Sequence, residues 1–437
     1  MTHSLEWPSL TCQWLPTSKN LNKGSENKGG GVASELSLLL GTHTDGGEQN
    51  YMMVANTVVA TYDPVVAEGA DSDNPVPPQV AYDEEKGEVG GFGNTAGVNG
   101  SGSSSTNNGF TIGKVDYKMK VRFPGEVNRA RAMPQNHFIV AARGPDPNIY
   151  IIDRSKHPQR PVEGGNFSPQ ITCTGHTAEG YALAWSKQKE GHLLSGGDDN
   201  VVCLWDVNQG LSSNSSSITP AGIFKGHTAT VEDVDWHAKD PNLFGSVSDD
   251  RSIRLWDIRE PSMGQKHIVE DAHKADIYGI AFNPKLEMTF ATASSDHTVA
   301  IWDLRNLSKK VHTLDGGHTD EVYVVKWAPF DESILASAGA DRRVAIWDLS
   351  RTGREQSPED AEDGPPELLF LHGGHTAKVS DLSWNAQHPW VVASVSEDNV
   401  LQVWQMAEEL YVDDENDEEE TEEDRKNDRT LGDDDLE

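Results

Sequence analysis

Cysteine is scarce: Cys12, Cys173 and Cys203 are the only three in 437 residues. They cannot build a disulfide framework and show no metal-ligand spacing, so a reducing compartment is expected, nucleus or cytosol. Positive charge is scarce as well. The 36 Lys+Arg face 70 Asp+Glu, a formal net charge of −34. DNA and RNA backbones would be repelled over most of such a surface, which points to a basic peptide or protein as partner rather than nucleic acid. Long apolar runs are missing: none approaches the roughly 18–20 residues of a membrane span. The segment Met1–Pro8 has neither a basic n-region nor an apolar h-region, so no secretory signal and no membrane partner are expected. There is no Walker loop, H-E-x-x-H, G-x-S-x-G or kinase signature. No catalytic residue, metal or cofactor is expected.

What is present is a repeat. Gly-His or Ala-His pairs place His176, His227, His273, His318 and His375, and each is followed 29 residues later by Trp205, Trp256, Trp302, Trp347 or Trp404. Six residues before each Trp stands Asp199, Asp250, Asp296, Asp341 or Asp398. Ten before it stands Ser195, Ser246, Thr292, Ser337 or Ser394. Nine residues past each His is an aromatic: Trp185, Trp236, Phe282, Trp327 or Trp384. This is the WD-repeat pattern of a β-propeller with four-stranded antiparallel blades. His, Ser/Thr and Asp are expected to hydrogen-bond in series to the indole N–H, which makes them structural tetrads rather than catalytic groups.

The same template finds a degenerate blade. With Ile152-Asp153 in the Trp-Asp slot, Asp146 fills the Asp slot, but Phe123 and Ala142 replace His and Ser. A seventh blade is expected from Leu36–Leu40, Tyr51–Thr61 and Lys114–Phe123, with Leu10–Leu15 completing the C-terminal blade and closing the ring. The expected fold is all-β: a seven-bladed WD-repeat propeller over 1–407 with an acidic disordered tail, 408–437. Residues 19–31 and 68–109 read as flexible insertions, and 210–217 as a shorter Ser-rich loop. The tail holds 17 acidic and 3 basic residues.

Loops leading into the first strand of each blade share a face with the turns between its second and third strands, because the tetrad bridges them. Three residues past the His slot are Glu126, Glu179, Thr230, Asp276, Glu321 and Lys378; five past it are Asn128, Tyr181, Glu232, Tyr278, Tyr323 and Ser380. Asp198, Asp249, Glu397 and Asn399 lie in the turns. Acids, amides and tyrosines on one rim suit a Lys/Arg peptide through charge-assisted hydrogen bonds and cation–π contacts. The blander reading is a solvated acidic rim, but solubility does not require tyrosines. A second constellation lengthens the His318–His375 step to 57 residues and contains Glu355–Phe370. Its acidic stretch, Asp-Gly-Pro-Pro turn and following apolar residues fit either a lip for a basic amphipathic helix or an ordinary surface loop.

Several segments closely resemble the retinoblastoma-binding, Msi-like WD-repeat histone chaperones. They are Leu5-Glu6-Trp7-Pro8-Ser9-Leu10-Thr11, Gly125-Glu126-Val127-Asn128-Arg129-Ala130-Arg131, Glu355–Phe370, Gly373–Lys378 and Ser396–Asn399. The resemblance runs from Thr2 to about Met406 apart from the insertions. It implies a non-catalytic scaffold, nuclear or also cytoplasmic, of chromatin assembly, Polycomb repressive, deacetylase, remodelling and type B acetyltransferase complexes, with histones H3 and H4 as partners. The positions it assigns to the H3 tail or related basic peptides are Glu126, Asn128, Glu179, Tyr181, Glu232, Asp249, Glu321, Tyr323, Glu397 and Asn399. Those it assigns to the first H4 helix are Glu359, Asp360, Glu362, Asp363, Gly364, Pro365, Pro366, Leu368 and Phe370. Family members carry a long helix ahead of the Leu-Glu-Trp-Pro segment; here Met1 stands directly before it, so half of that H4 groove is expected to be lacking.

The runner-up from the residues is a substrate receptor of a cullin-type ubiquitin ligase. Trp256-Asp257-Ile258-Arg259 and Trp302-Asp303-Leu304-Arg305 both fit the Trp-Asp-x-Arg box used for its adaptor. A third reading is an acidic chaperone for ribosomal proteins.

Overall fold

A computed structural model describes residues 1–20, 32–44, 46–61, 114–162, 164–213, 215–260, 264–407 and 410–411, and the backbone of the short pairing of Tyr82–Asp83 with Glu88–Val89. Both insertions fall largely outside the described residues, as does nearly all of the tail. Met1–Trp404 forms one compact unit, and Gln405–Glu437 is grouped as a second.

Seven antiparallel sheets make up the propeller. Blade 1 is Cys12–Asn20, Val32–Gly41, Asn50–Thr61 and Val115–Phe123. Blade 2 is Arg129–Ala132, Ile139–Arg143, Ile149–Asp153 and Ile171–Cys173, with Ser217–Ile218 added in parallel. Blades 3 to 6 begin at Leu183–Trp185, Val231–Trp236, Ile277–Phe282 and Val322–Trp327. Blade 7 is Val379–Trp384, Val391–Ser396 and Val400–Gln405, with Thr2–Ser4 as its outermost strand.

The closure differs from the sequence expectation. Leu10–Leu15 does not complete the last blade: Cys12–Asn20 is the innermost strand of blade 1, with Cys12 opposite Leu40. The ring is closed by Thr2–Ser4, which pairs with Val400–Gln402. Only Thr2–Ser4 can reach across, because the apolar Cys12, Trp14 and Leu15 are buried in the interior. Two loop expectations also change. Lys19 and Asn20 belong to a strand, and 210–217 is replaced by a helix, Val207–Ser213, and the strand Ser217–Ile218.

In blades 3 to 6 the repeat residues form continuous hydrogen-bond chains. In blade 6 the Trp347 indole donates to Ser337 Oγ at 2.8 Å, Ser337 meets His318 Nε2 at 2.7 Å, and His318 Nδ1 meets Asp341 at 2.9 Å. A carboxylate only accepts, so Nδ1 carries the proton and Nε2 accepts the hydroxyl. The same chain runs through His176, Ser195, Asp199 and Trp205, through His227, Ser246, Asp250 and Trp256, and through His273, Thr292, Asp296 and Trp302. Blade 7 departs from the simple series. His375 Nδ1 bonds Ser396 Oγ at 2.8 Å, and Ser396, not His375, bonds Asp398. Its Trp404 reaches Ser394 at 3.3 Å, and Ser394 bonds His375 Nε2 at 2.7 Å.

Blade 2 replaces this chemistry with aromatic packing. Phe123, in the His slot, meets Tyr150 edge-on at 5.6 Å and Phe167 at 5.4 Å. The Tyr150 hydroxyl donates to Asp146. Neighbouring blades are stitched by the second tryptophan series, whose role the spacing did not disclose. Trp185, Trp236, Trp327 and Trp384 donate their indole N–H to the carbonyls of Arg131, Ala184, Ala281 and Lys326, each in the preceding blade's innermost strand.

Candidate functional site

The backbone joins the two sets of rim loops. In blades 3 to 7 the carbonyl three residues past the His slot accepts from the turn between the second and third strands. The pairs are Glu179–Asp198, Thr230–Asp249, Asp276–Ser295, Glu321–Ala340 and Lys378–Glu397, at 2.8–3.2 Å. Asn128 N similarly bonds Arg143 O at 3.0 Å in blade 2. These bonds hold the acids and tyrosines on one mouth of the propeller. Each turn also forces a left-handed residue after the tetrad Asp: Asn200, Arg251, His297, Arg342 and Asn399 have φ of 62–69°. Asn tolerates that region better than Arg or His.

Across the mouth, carboxylates crowd without matching cations. Burial, together with Asp249 and Asp198, pushes the Glu232 carboxyl up to about 8, against a weaker opposing pull from Arg129. Burial and the charges of Asp276, Asp198 and Asp250 push Asp249 up to about 6. Its Oδ1 is buried and has no hydrogen-bond partner among the described residues. Asp198 is raised by burial and by Glu179. The tyrosines sit in the same field. Tyr278 is pushed up to about 12 by burial and by Glu321, Asp276, Asp249 and Glu232. Tyr323 is raised by burial and by donating to Glu321 Oε2 at 2.9 Å, and the Tyr278 and Tyr323 rings lie 5.4 Å apart. Tyr181 is exposed, and its hydroxyl too is held up by burial and by Glu179 and Glu232. Lys378 already lies over the Tyr323 ring at 5.9 Å, an internal instance of the cation–π contact that a ligand would make.

The other candidates are more peripheral to this cluster. Asn128 is buried and donates to Glu179 at 3.3 Å. Glu126 is half-buried, and Glu397 is exposed. Asn399 turns its amide to the Glu6 carbonyl at 3.4 Å, which ties the rim to the N-terminal segment. Reading for rim positions missed Arg143. It is fully buried, donates to the carbonyls of Gly196 and Ala182, and is held down to about 10 by burial. Asp199, Asp198, Cys203 and Glu179 pull its pKa the other way. Gly180 and Gly197 leave the room it occupies: a Cβ at either would come within 3.1–3.3 Å of the guanidinium. The available signal was one charge in the otherwise apolar strand Ile139–Arg143.

The Glu355–Phe370 segment leads into the outermost strand of blade 6, Leu368–His372. Glu359, Asp360, Glu362 and Asp363 are exposed on or beside the one-turn helix Asp360–Asp363, whose Asp360 N–H is capped by Ser357 Oγ at 3.1 Å. Gly364 has φ +140°, and a Cβ there would stand 2.7 Å from Leu368. Pro365, Pro366, Leu368 and Phe370 are half-buried. Phe370 lies 5.9 Å from Trp404, and Glu367, unremarked in the sequence, is buried against His312 at 2.6 Å.

A seven-bladed WD propeller with a carboxylate-and-tyrosine mouth belongs to the class of peptide-binding scaffolds. Five segments, 167–206, 218–257, 264–303, 308–348 and 367–405, match the WD domain, G-beta repeat model. Residues 1–60 match the family model for the histone-binding protein RBBP4, or C component of the CAF1 complex. The chain belongs to the RBBP4/Msi-like WD-repeat histone-binding family.

Proposed function

We propose that this chain is a non-catalytic nuclear scaffold of chromatin-assembly and chromatin-modifying complexes that takes the histone H3 tail, or a similar basic peptide, on its acidic mouth. The observation that carries the reading is the unbalanced cluster Asp198, Glu232, Asp249 and Asp276, whose members hold one another's protons on. A Lys or Arg side chain supplies the missing charge and donors for the orphaned Asp249 oxygen. The exposed acids at 359–363 beside half-buried Leu368 and Phe370 support a separate contact with the first helix of histone H4.

Full-length protein carrying Glu179→Lys and Glu321→Lys is expected to lose H3-peptide binding by at least about 100-fold while melting as the parent does. Unchanged affinity would sink the mouth assignment. Asp360→Lys with Asp363→Lys is expected to weaken H4 binding alone, and a parallel loss of H3-peptide binding would refute two separate sites.

The ligase-receptor reading is supported by one feature. Arg259 and Arg305, on adjacent blades, are largely exposed, each pinned to its own box aspartate at 2.9 Å. Affinity purification that returned a ligase adaptor without chromatin proteins would favour it.

A further inference from the structure

One basic concavity interrupts this acidic molecule. It is an open hollow of about 580 Å³ between blades 4 and 5, lined by Arg251, Asp271, Ala272, His273, Lys274 and Lys310. Three separate segments supply its cations. Arg251 comes from the turn after Ser248, Lys274 from the loop leading into blade 5, and Lys310 from the approach to the strand His312–Leu314. Lys274 breaks the internal pattern: the residue after the repeat His is Thr177, Thr228, Thr319 or Thr376 in the other four repeats.

The charges in the hollow are not balanced. Arg251 is paired with Asp271 at 2.9 Å, and that carboxylate is well exposed. Among the described residues neither the Lys274 nor the Lys310 ammonium has an ion-pair partner. Lys310 is half-buried, and both its burial and the charge of Lys274 weaken its hold on its proton, against the pull of Asp296. Asp271 is held at φ +47°, outside any repeat turn, and its neighbour Ala272 donates its N–H to Arg251 O at 2.9 Å. The backbone therefore fixes a bidentate-capable guanidinium beside two ammonium groups.

The hollow adjoins the mouth. Arg251 lies two residues from Asp249, and Lys274 two residues from Asp276, at most about 7 Å of extended chain in each case. A peptide seated on Asp249 and Asp276 passes within reach of all three cations.

We propose that this concavity is a phosphomonoester site that reads a phosphoserine or phosphothreonine on the same basic peptide that occupies the mouth. The inference rests on the basic-peptide reading of the mouth and specifies its ligand. A phosphomonoester carries close to two negative charges and three acceptor oxygens, which suits one guanidinium and two ammonium groups. A polynucleotide fits poorly, because its flanking phosphates would meet Asp249, Asp276 and the remaining acidic rim.

The test uses the full chain and an N-terminal histone H3 peptide, unmodified and with a single phosphate on each serine or threonine in turn. At one position the phosphorylated peptide is expected to bind at least about fivefold tighter than the unmodified one. The double variant Lys274→Ala, Lys310→Ala is expected to lose that preference and to bind the unmodified peptide as the parent does. The proposal is overturned, with the mouth reading intact, if no phosphorylated position gains affinity or if the gain survives the double variant. It is also overturned if a short DNA duplex binds through these lysines while no phosphopeptide is preferred. Failure of every peptide to bind overturns the mouth reading and this one with it.

Discussion

At the residue scale, Glu232 concentrates the conflict between stability and binding. Its carboxyl lies in the first strand of blade 4, facing Asp249, Asp198 and Asp233, with Arg129 as the opposing charge. A carboxylate raised in the fold, from 4.5 to about 8, favours the folded state fully below its unfolded value. That contribution is lost as pH rises through about 8. Glu232→Gln removes the repulsion and is expected to stabilise the protein at pH 8.5 by roughly 1–3 kcal/mol, allowing for solvent relief at the rim, with little change at pH 4.5. Thermal melts at the two pH values check this; an equal shift at both would show that packing, not charge, is responsible. Cation binding works in the opposite sense, because it requires the ionised forms. H3-peptide affinity is therefore expected to rise from pH 5.5 to 8.5, through the values of Asp249 and then Glu232, with proton release. Glu232→Gln removes the upper part of that rise.

At the scale of the blade, the tetrad couples loop, strand and turn through buried donors that have no alternative partners. Ser337 is fully buried and serves both Trp347 and His318. Ser337→Ala strands an indole N–H and an imidazole nitrogen and is expected to destabilise the propeller by about 2–4 kcal/mol. Urea unfolding measures this loss, while peptide affinity well below the midpoint stays unchanged; a loss under about 0.5 kcal/mol would show that the chain of bonds is incidental. The five repeats were legible because tryptophan and histidine are rare and their spacing is fixed by strand length. The degenerate blade was legible only in register. That Phe123, Tyr150 and Phe167 take over the tetrad's place depends on residues far apart in the chain. The closing strand was misplaced because Thr2–Ser4 is three residues long, and pairing with Val400–Gln402 leaves no periodicity to read. Buried Arg143 and the mutual elevation of Asp198, Glu232 and Asp249 arise only when three blades meet, so residue types suggested an acidic rim but not which acids would press on one another.

At the scale of the whole molecule, the charge of −34 separates into parts that act on different rate constants. Residues 408–437 hold 17 acids and 3 bases, leaving −20 on the rest of the chain. Charges not fixed in the mouth act over about a Debye length, roughly 8–10 Å at physiological salt, and chiefly raise the rate of encounter with a basic partner. Charges in the mouth act at contact and set how long the partner stays. Removing 408–437 is thus expected to slow association with an H3–H4 complex by about three- to tenfold at 50 mM salt, a difference that vanishes near 500 mM. The dissociation rate of an H3 peptide is expected to stay as it is in the full chain. Stopped-flow association and surface-plasmon dissociation, measured over a salt series, separate the two. If truncation instead speeds peptide dissociation, the tail contacts the bound ligand directly, and the division between long-range attraction and mouth recognition is wrong. If neither rate moves, the acidic run is irrelevant to histones, and the mouth carboxylates alone account for the preference for a basic partner.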